Sequence, residues 1–194
     1  MIDLASEELP CKVRSSQGEL VMVETSFRAW LRFARYLQEM KVMDMSVVRG
    51  VYDEDGNFQA KRFPVGDVSE GLREFLESPV ATPKKGVGGQ NVMDYLEDGD
   101  YIVGAFQQAY GIDLTSEDLH WHRFLALVRS LPSDTKYAEI IGYRSYDESA
   151  AKKKPNEARK LLRERWSLPN KDEATLKWQQ EMFAGIRPVG GEDG

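Results

Sequence analysis

Apolar residues recur three and four positions apart through much of the second half of the chain, and only a few residues separate one such segment from the next. Residues 95–110 show this spacing, and Gly111 follows them as a C-terminal capping residue, which predicts a helix. Helices with such short connections pack as neighbours. The pattern therefore predicts a mainly α fold, a compact multi-helix domain.

The next helix in this region is predicted to be the central one. Thr115 and Asp118 provide its N-terminal signal, and it runs to Leu131, just before Pro132. It is apolar on more than one face, which is typical of a helix buried among others. Ser133 then caps a short helix. Large aromatic residues at helical spacing are expected in the core, namely Trp30, Phe106, Tyr110, Trp121 and Phe124.

The first half of the chain contains the predicted β structure. Residues 12–14 and 19–23 are short runs rich in β-branched residues on either side of a polar turn, which predicts a small N-terminal β-hairpin. A hairpin alone is only marginally stable, so we expect it to lie on helices or to pair with another strand. A helix is predicted to follow from Thr25 or Ser26, and a second one is predicted over 42–51.

Two acidic segments follow. Residues 53–57 have the composition of a calcium loop, but their glycine comes too early for an EF-hand and the terminal glutamate is missing, so they are predicted to form a turn. Asp67 and Glu70 have the spacing of a capping box, which predicts the start of a short amphipathic helix.

Residues 78–91 combine prolines, lysines and glycines without a large apolar residue, which predicts a mobile loop. Pro155 suits the first turn of a basic helix, and a last helix is predicted over 172–183, before a disordered tail. The predicted organisation is therefore a single helical domain with its N-terminal hairpin over 1–168, followed by a C-terminal helix and flexible tail over 169–194.

Composition excludes several classes of protein. Hydrophobic residues make up 41% of the 194 residues, which is enough for one core. No uncharged run approaches the roughly 18–20 residues of a membrane-spanning helix, and the N-terminus lacks the features of a secretory signal. The single cysteine, Cys11, excludes an internal disulfide and favours a reducing cytoplasm.

The net charge of −6 argues against general nucleic-acid binding, but the charge is uneven. No lysine or arginine occurs over 86–122, whereas residues 152–165 contain seven basic and two acidic residues. Such stretches can bind copies of the same chain or a charged partner, and they can equally be solvated helix faces.

No constellation of residues points to catalysis. His120 and His122 are two positions apart, so on a helix their side chains would point about 200° from each other, which favours packing and hydrogen bonding over metal binding. The chain has no nucleophile elbow, phosphate loop or dinucleotide fingerprint, and Cys11 has no base nearby in sequence. We therefore expect no enzyme activity, no catalytic, cofactor-binding or metal-binding residue, and no cofactor.

Five stretches resemble a known family: 94–102, 105–114, 119–127, 142–144 and 27–33. The stretch over 94–102 reads Asp-Tyr-Leu-Glu-Asp-Gly-Asp-Tyr-Ile. They are similar to a family of small proteins from phages and prophages of Gram-positive bacteria, the "phage gp fifteen" family, usually encoded just ahead of the tail tape-measure gene. That gene position implies a tail assembly chaperone.

The resemblance implies a specific role and specific partners. Such a chaperone binds and solubilises the tail tape-measure protein, helps recruit tail-tube protein, forms a spiral or ring homo-oligomer, and works in the host cytoplasm without entering the mature virion. The acidic stretch around 94–100 and the basic helix after Pro155 are candidate contacts between subunits. One alternative is a structural tail or head–tail component retained in the virion. Another is a regulator that places the basic helix on nucleic acid.

The family often has an aromatic residue where this chain has His122. A position that accepts an aromatic residue is a packing position, and this departure further weakens the interpretation of the histidines as a metal site.

Overall fold

The computed structural model describes most of the chain, namely residues 8–38, 45–53, 55–76, 92–147 and 156–169. The loop predicted over 78–91, the helix predicted over 172–183 and the tail lie outside these residues. The predicted boundary between 168 and 169 is not tested and stays a prediction.

The described residues divide into two compact units. Unit 1 contains the described residues up to 76 together with Leu119–Phe124, and unit 2 contains the described residues of 92–118 and 125–169. Six α-helices occur in the part of the chain that the structure describes: α1 (Phe27–Gln38), α2 (Val65–Leu76), α3 (Gly99–Tyr110), α4 (Trp121–Arg129), α5 (Lys136–Arg144) and α6 (Glu157–Trp166). The predicted mainly α fold with a small N-terminal hairpin is confirmed.

The predicted hairpin forms one half of a four-stranded antiparallel sheet in unit 1. The strands follow each other in the order β1 (Lys12–Arg14), β2 (Leu20–Val23), β3 (Val48–Tyr52) and β4 (Phe58–Gln59). In the hairpin, Lys12 lies opposite Met22 and Arg14 lies opposite Leu20. The expectation that the hairpin pairs with another strand is met by β3.

The helix predicted over 42–51 is wrong where the chain is described. Met45–Val47 form a single 3-10 turn, and the following five residues form β3. Val48 lies opposite Val23 of β2, and Val51 is buried. These β-branched side chains gain more from packing on the sheet than from a helix, whose geometry restricts their rotamers.

Gly50 allows the backbone of β4 to approach β3 closely. Its φ angle is 152°, and a Cβ atom at this position would collide with the carbonyl group of Gln59. Only a residue without a side chain fits here.

The turn predicted over 53–57 follows β3, and it is confirmed: the Asp53 carboxylate accepts hydrogen bonds from the backbone N–H groups of Asp55 (3.1 Å) and Asn57 (2.8 Å). The hydrogen bond from the Asn57 backbone is the main cause that lowers the pKa of Asp53.

The core of unit 1 is built around Trp30 of α1. Its indole is fully buried and stacks on Phe75 and Trp121, with ring centroids 4.7 and 6.4 Å apart, and its Nε1–H donates to the carbonyl oxygen of Glu24 (2.6 Å). Phe27 stacks on Phe124 at 4.9 Å. The aromatic core predicted for this half of the fold is therefore buried.

Helix α4 begins later than predicted, at Trp121. Ser26 and His120 form an antiparallel bridge, in which the Phe27 N–H donates to the Leu119 carbonyl (2.8 Å) and the Trp121 N–H donates to the Thr25 carbonyl (2.6 Å). Because these backbone groups pair with the start of α1, they cannot form the first turn of a helix.

Helix α2 also differs from its prediction. It starts at Val65, so Asp67 lies within the first turn and is not the capping residue. The Asp67 carbonyl accepts a hydrogen bond from the Ser16 N–H (2.7 Å), and Glu70 pairs with Arg73. The predicted capping box is wrong, because Glu70 pairs along its own helix and does not reach back to the helix start.

In unit 2, the C-terminus of α3 is as predicted and its start is not. Gly111 is left-handed (φ 68°), and its N–H donates to the Gln107 carbonyl. Residues 95–98 form a turn before α3 instead of its first helical turn. Helix α5 is capped by Thr135 and not by Ser133: the Thr135 side-chain oxygen accepts a hydrogen bond from the Ala138 N–H (3.3 Å).

The predicted core residues of unit 2 are buried to different degrees. Phe106 is fully buried. Tyr110 is only half-buried, and its hydroxyl donates a hydrogen bond to the carbonyl oxygen of Leu127 (2.9 Å). A tyrosine commonly reaches a polar partner in this way with its ring packed and its hydroxyl end near the surface.

Arg144 forms a buried ion pair in unit 2. Its two terminal nitrogens each lie 2.8 Å from one carboxylate oxygen of Asp98, and the two side chains are only 8% and 1% exposed. The guanidinium also donates to the carbonyl oxygens of Val92 (3.2 Å) and Trp166 (2.6 Å). One side chain thereby links the start of α3, the end of α5 and the end of α6.

We predict that Asp98→Asn lowers the free energy of unfolding by about 3–5 kcal/mol, because it leaves the buried Arg144 without a counter-charge. Arg144→Lys keeps the charge but loses the two-pronged geometry, and a smaller loss is expected. The control is Glu70→Gln, which breaks an exposed pair within α2 and should change stability by less than about 1 kcal/mol. Urea denaturation measures all three, and equal effects of Asp98→Asn and Glu70→Gln would contradict the prediction.

Candidate functional site

The sheet of unit 1 has one buried and one exposed face. Side chains alternate along each strand, so Val13, Val21 and Val51 point into the core, and Leu20 and Tyr52 lie on the opposite, outer face. A sheet that packs on the core with one face and exposes apolar residues on the other has an apolar surface that a binding partner can cover.

Three large apolar residues lie on this outer face, and we call them the apolar patch: Leu20, Tyr52 and Phe58. They are 50%, 53% and 47% exposed. Tyr52 and Phe58 are opposite each other on β3 and β4, with their rings in an edge-on contact at 5.7 Å. Leu20 lies on the neighbouring strand β2, two residues before Met22, which pairs with Gly50 of β3. The three side chains thus lie on three adjacent strands.

Cationic side chains lie beside the apolar patch. The ammonium of Lys12 is 5.8 Å from the centroid of the Tyr52 ring, a distance typical of a cation–π contact. Arg14, also exposed, donates a hydrogen bond to the Gly18 carbonyl (3.0 Å). An apolar centre with a charged rim is typical of a surface that binds protein.

This surface was not predicted from the sequence, because the first residues of β3 were assigned to a helix over 42–51. A signal was present. The run from Val48 to Tyr52 is rich in β-branched and aromatic residues, and a turn with a glycine separates it from Phe58. Together these are the marks of a second hairpin.

The two histidines lie in unit 1 and hydrogen-bond to backbone carbonyl groups. The Nε2–H of His120 donates to Pro10 (2.8 Å), and the Nε2–H of His122 donates to Phe75 (2.9 Å). Because His120 precedes α4 and is extended, the two rings lie only 5.4 Å apart, unlike side chains two residues apart on one helix. Packing and hydrogen bonding are as predicted, but the helical geometry used to predict them is wrong.

The other chemically interesting groups are in a buried polar cluster of unit 2. Asp94 accepts hydrogen bonds from the N–H groups of Leu96 and Glu97, and its own N–H donates to the Asp98 carboxylate. Burial raises the pKa of Tyr95 to about 12, and burial together with the Asp98 charge also raises the pKa of Tyr137. Both phenols therefore stay neutral at physiological pH, which is the wrong protonation state for a general base.

The structure changes the interpretation of the acidic and basic stretches. Asp94 and Asp98 are buried, and Asp98 is paired with Arg144 within the chain, so neither carboxylate lies on a surface that another subunit could contact. On α6, the side chain of Arg163 donates to the carbonyl of Tyr146. The expectation that the whole stretch around 94–100 contacts a neighbouring subunit is therefore wrong for its two buried members.

The described residues also bear on the expectations about metal binding, about Cys11 and about membrane-spanning helices. Across the described ranges, no group of three or more His, Cys, Asp or Glu side chains could hold a metal ion. Cys11 is half-buried as a free thiol. Within the same ranges, every helix is too short or too polar to cross a membrane.

We predict that acidification weakens the fold through His120. Its Nδ1 accepts a hydrogen bond from the His122 N–H (3.1 Å), so a second ring proton would break that bond, and burial lowers its pKa although the bond to Pro10 opposes the shift. The unfolded chain then takes up the proton first. The stability linked to this group is complete above the ordinary pKa of about 6.5 and is lost as the pH falls below it.

The measurement compares the chain with His120→Gln by urea denaturation at about pH 7.5 and about pH 5.5. The unaltered chain should lose more stability than the variant. The extra loss of the unaltered chain should stay below about 1.4 kcal/mol per pH unit, which is the limit for one proton, because the ring is half exposed and water screens its charge. An equal loss in both proteins would contradict the prediction.

Comparison with known proteins places this chain in a family. No curated protein and no solved structure matches it. A family model described as "Bacteriophage Gp15 protein" matches residues 6–168, which include both units where they are described. The match covers most of the chain, and the chain therefore belongs to the bacteriophage Gp15 protein family.

Proposed function

We propose that this chain is a tail assembly chaperone of a long-tailed phage. It binds the tail tape-measure protein, keeps that protein soluble in the host cytoplasm and helps recruit tail-tube protein. It has no catalytic step and is absent from the finished virion. The observation that carries the proposal is the apolar patch, an exposed aromatic surface on a member of a bacteriophage family.

The chemistry of the patch suits a helical client. Aromatic rings on neighbouring strands form a flat apolar surface, against which one face of an amphipathic helix can pack with residues spaced three and four positions apart. The two rings already touch each other, so little side-chain freedom is lost on binding. Lys12 at the rim favours a client with acidic residues beside its apolar face.

The size of the patch favours reversible binding. Three partly exposed side chains bury far less surface than the roughly 1,200–2,000 Å² of a stable protein interface, so one copy would bind weakly. A chaperone that is displaced by polymerising tube subunits needs such weak contacts, repeated along the client. Self-association into a spiral or ring is part of the proposal, and the buried carboxylates of Asp94 and Asp98 take no part in it.

Co-expression with the tape-measure protein of the parent phage tests the function. We expect the tape-measure protein to stay soluble and to co-purify with the tagged chain, and mass spectrometry of purified virions should not detect this chain. A tape-measure protein that aggregates equally with and without the chain would contradict the proposal. Retention in virions would favour a structural tail component instead.

We predict that combining Tyr52→Ser with Phe58→Ser reduces the amount of solubilised tape-measure protein by at least about tenfold, because each aromatic side chain contributes about 1.5–3 kcal/mol when fully buried. Leu20→Glu should have a similar effect through a charge on the patch, and it leaves both rings in place.

The matched control is Leu161→Ser on α6, which removes a side chain that is 64% exposed elsewhere in the chain. It should solubilise the client as well as the unaltered chain does. Circular dichroism checks that the variants fold. Equal solubilisation by folded patch variants and by Leu161→Ser would exclude the patch as the client site.

A further inference from the structure

A second surface lies entirely within unit 2, between α5 and α6. It is a groove of about 280 Å³, lined by Glu139, Gly142, Tyr143, Tyr146 and Arg159. Its volume falls just below the range of about 300–1,000 Å³ that is usual for small-molecule sites. The groove is therefore of a size to receive one large side chain of another protein.

One residue of the groove lining is a glycine that packing does not require. Gly142 lies inside α5, is exposed, and a Cβ atom added to it would meet no heavy atom within 4 Å other than those of its chain neighbours and the backbone of its own helix. A glycine inside an exposed helix is less stable than alanine, so folding alone disfavours it. What the missing side chain provides is open space above the helix backbone, in the lining of the groove.

The walls of the groove are held in place by hydrogen bonds. The Tyr143 hydroxyl donates to the Glu139 carboxylate, and the Tyr146 hydroxyl accepts a hydrogen bond from the Asn156 N–H (3.0 Å). Both phenol groups already have a polar partner, so the rings can contribute apolar surface. Tyrosines fixed in this way lose little conformational freedom when a partner binds.

Arg159 places a positive charge at the groove. Its guanidinium lies 5.7 Å from the centroid of the Tyr146 ring, and it belongs to none of the ion pairs between residues that the structure describes. Helix α6 also bears Lys160, Arg163 and Arg165, against only two acidic residues. The carboxylate in the lining, Glu139, is paired with Lys136 (2.8 Å), so the charge at the groove that lacks an ion-pair partner among the described residues is that of Arg159, and its complement is a carboxylate.

We propose that the groove binds a short acidic protein segment that places one large apolar side chain over Gly142 and a neighbouring carboxylate on Arg159. Tyrosine and arginine are enriched among the residues that dominate binding energies at protein interfaces. The site is separate from the apolar patch and does not depend on the proposed chaperone function.

The test uses arrays of overlapping peptides from three sources: the tape-measure protein, the tail-tube protein and this chain itself. We expect the bound peptides to share a large apolar residue next to an aspartate or glutamate. Gly142→Leu fills the groove and should weaken their binding at least tenfold. Because leucine favours a helix more than glycine does, the same variant should melt at a higher temperature, so lost binding would not reflect unfolding.

Two matched variants control for general effects. Gly104→Leu changes an exposed glycine inside α3 that also has open space around it, and it should bind the peptides as the unaltered chain does. Arg159→Glu should remove the preference for acidic peptides, whereas Arg165→Glu, at an exposed position of the same helix, should not.

Three outcomes would overturn the proposal. They are the absence of any bound peptide, unchanged binding by Gly142→Leu, and displacement of the peptides by a short DNA or RNA strand. The last outcome would assign the basic helix to nucleic acid. Solubilisation of the tape-measure protein is measured in parallel on each variant, so failure of the groove and failure of the chaperone function remain distinguishable.

Discussion

Unit 2 is held together by the charge of Arg144. A buried guanidinium is costly unless it is paired and fully hydrogen-bonded, and here it meets the carboxylate of Asp98 and the carbonyl oxygens of Val92 and Trp166. The partners belong to different elements, so satisfying one charge also fixes α3, α5 and α6 against each other. The bond to Trp166 anchors the end of α6 to α5, the two helices between which the groove lies.

The apolar patch and the groove have one property in common, which is that the stability of the fold does not explain their residues. Tyr52 and Phe58 are about half exposed, so they contribute less to stability than a buried pair would. Gly142 weakens its helix without easing any contact. In each case the supporting structure is tightly specified, by Gly50 and the Asp53 turn under the patch and by the hydrogen-bonded tyrosines around the groove. Rigid support beneath residues of little use to the fold is typical of binding sites.

The sequence predicts the elements that depend on local signals and misses those that depend on distant partners. The first hairpin, the capping role of Gly111 and the buried aromatic residues follow from turn chemistry and spacing. The start of α4 does not, because it is set by backbone pairing with Ser26, more than ninety residues away. The pairing of Asp98 with Arg144 likewise has no local signature, and Tyr52 of the patch directly follows the segment 42–51, which was predicted wrongly as a helix.

Under the proposed function, weak binding at the patch is an advantage. A long helical client presents many apolar stretches, and copies that bind side by side form a coat that is far more persistent than any one contact. Each copy still dissociates quickly, because so little surface is buried per site. A tube subunit can then replace one copy at a time. A patch extended by further exposed aromatic residues would hold the client more tightly, and it would slow the displacement on which tube growth depends.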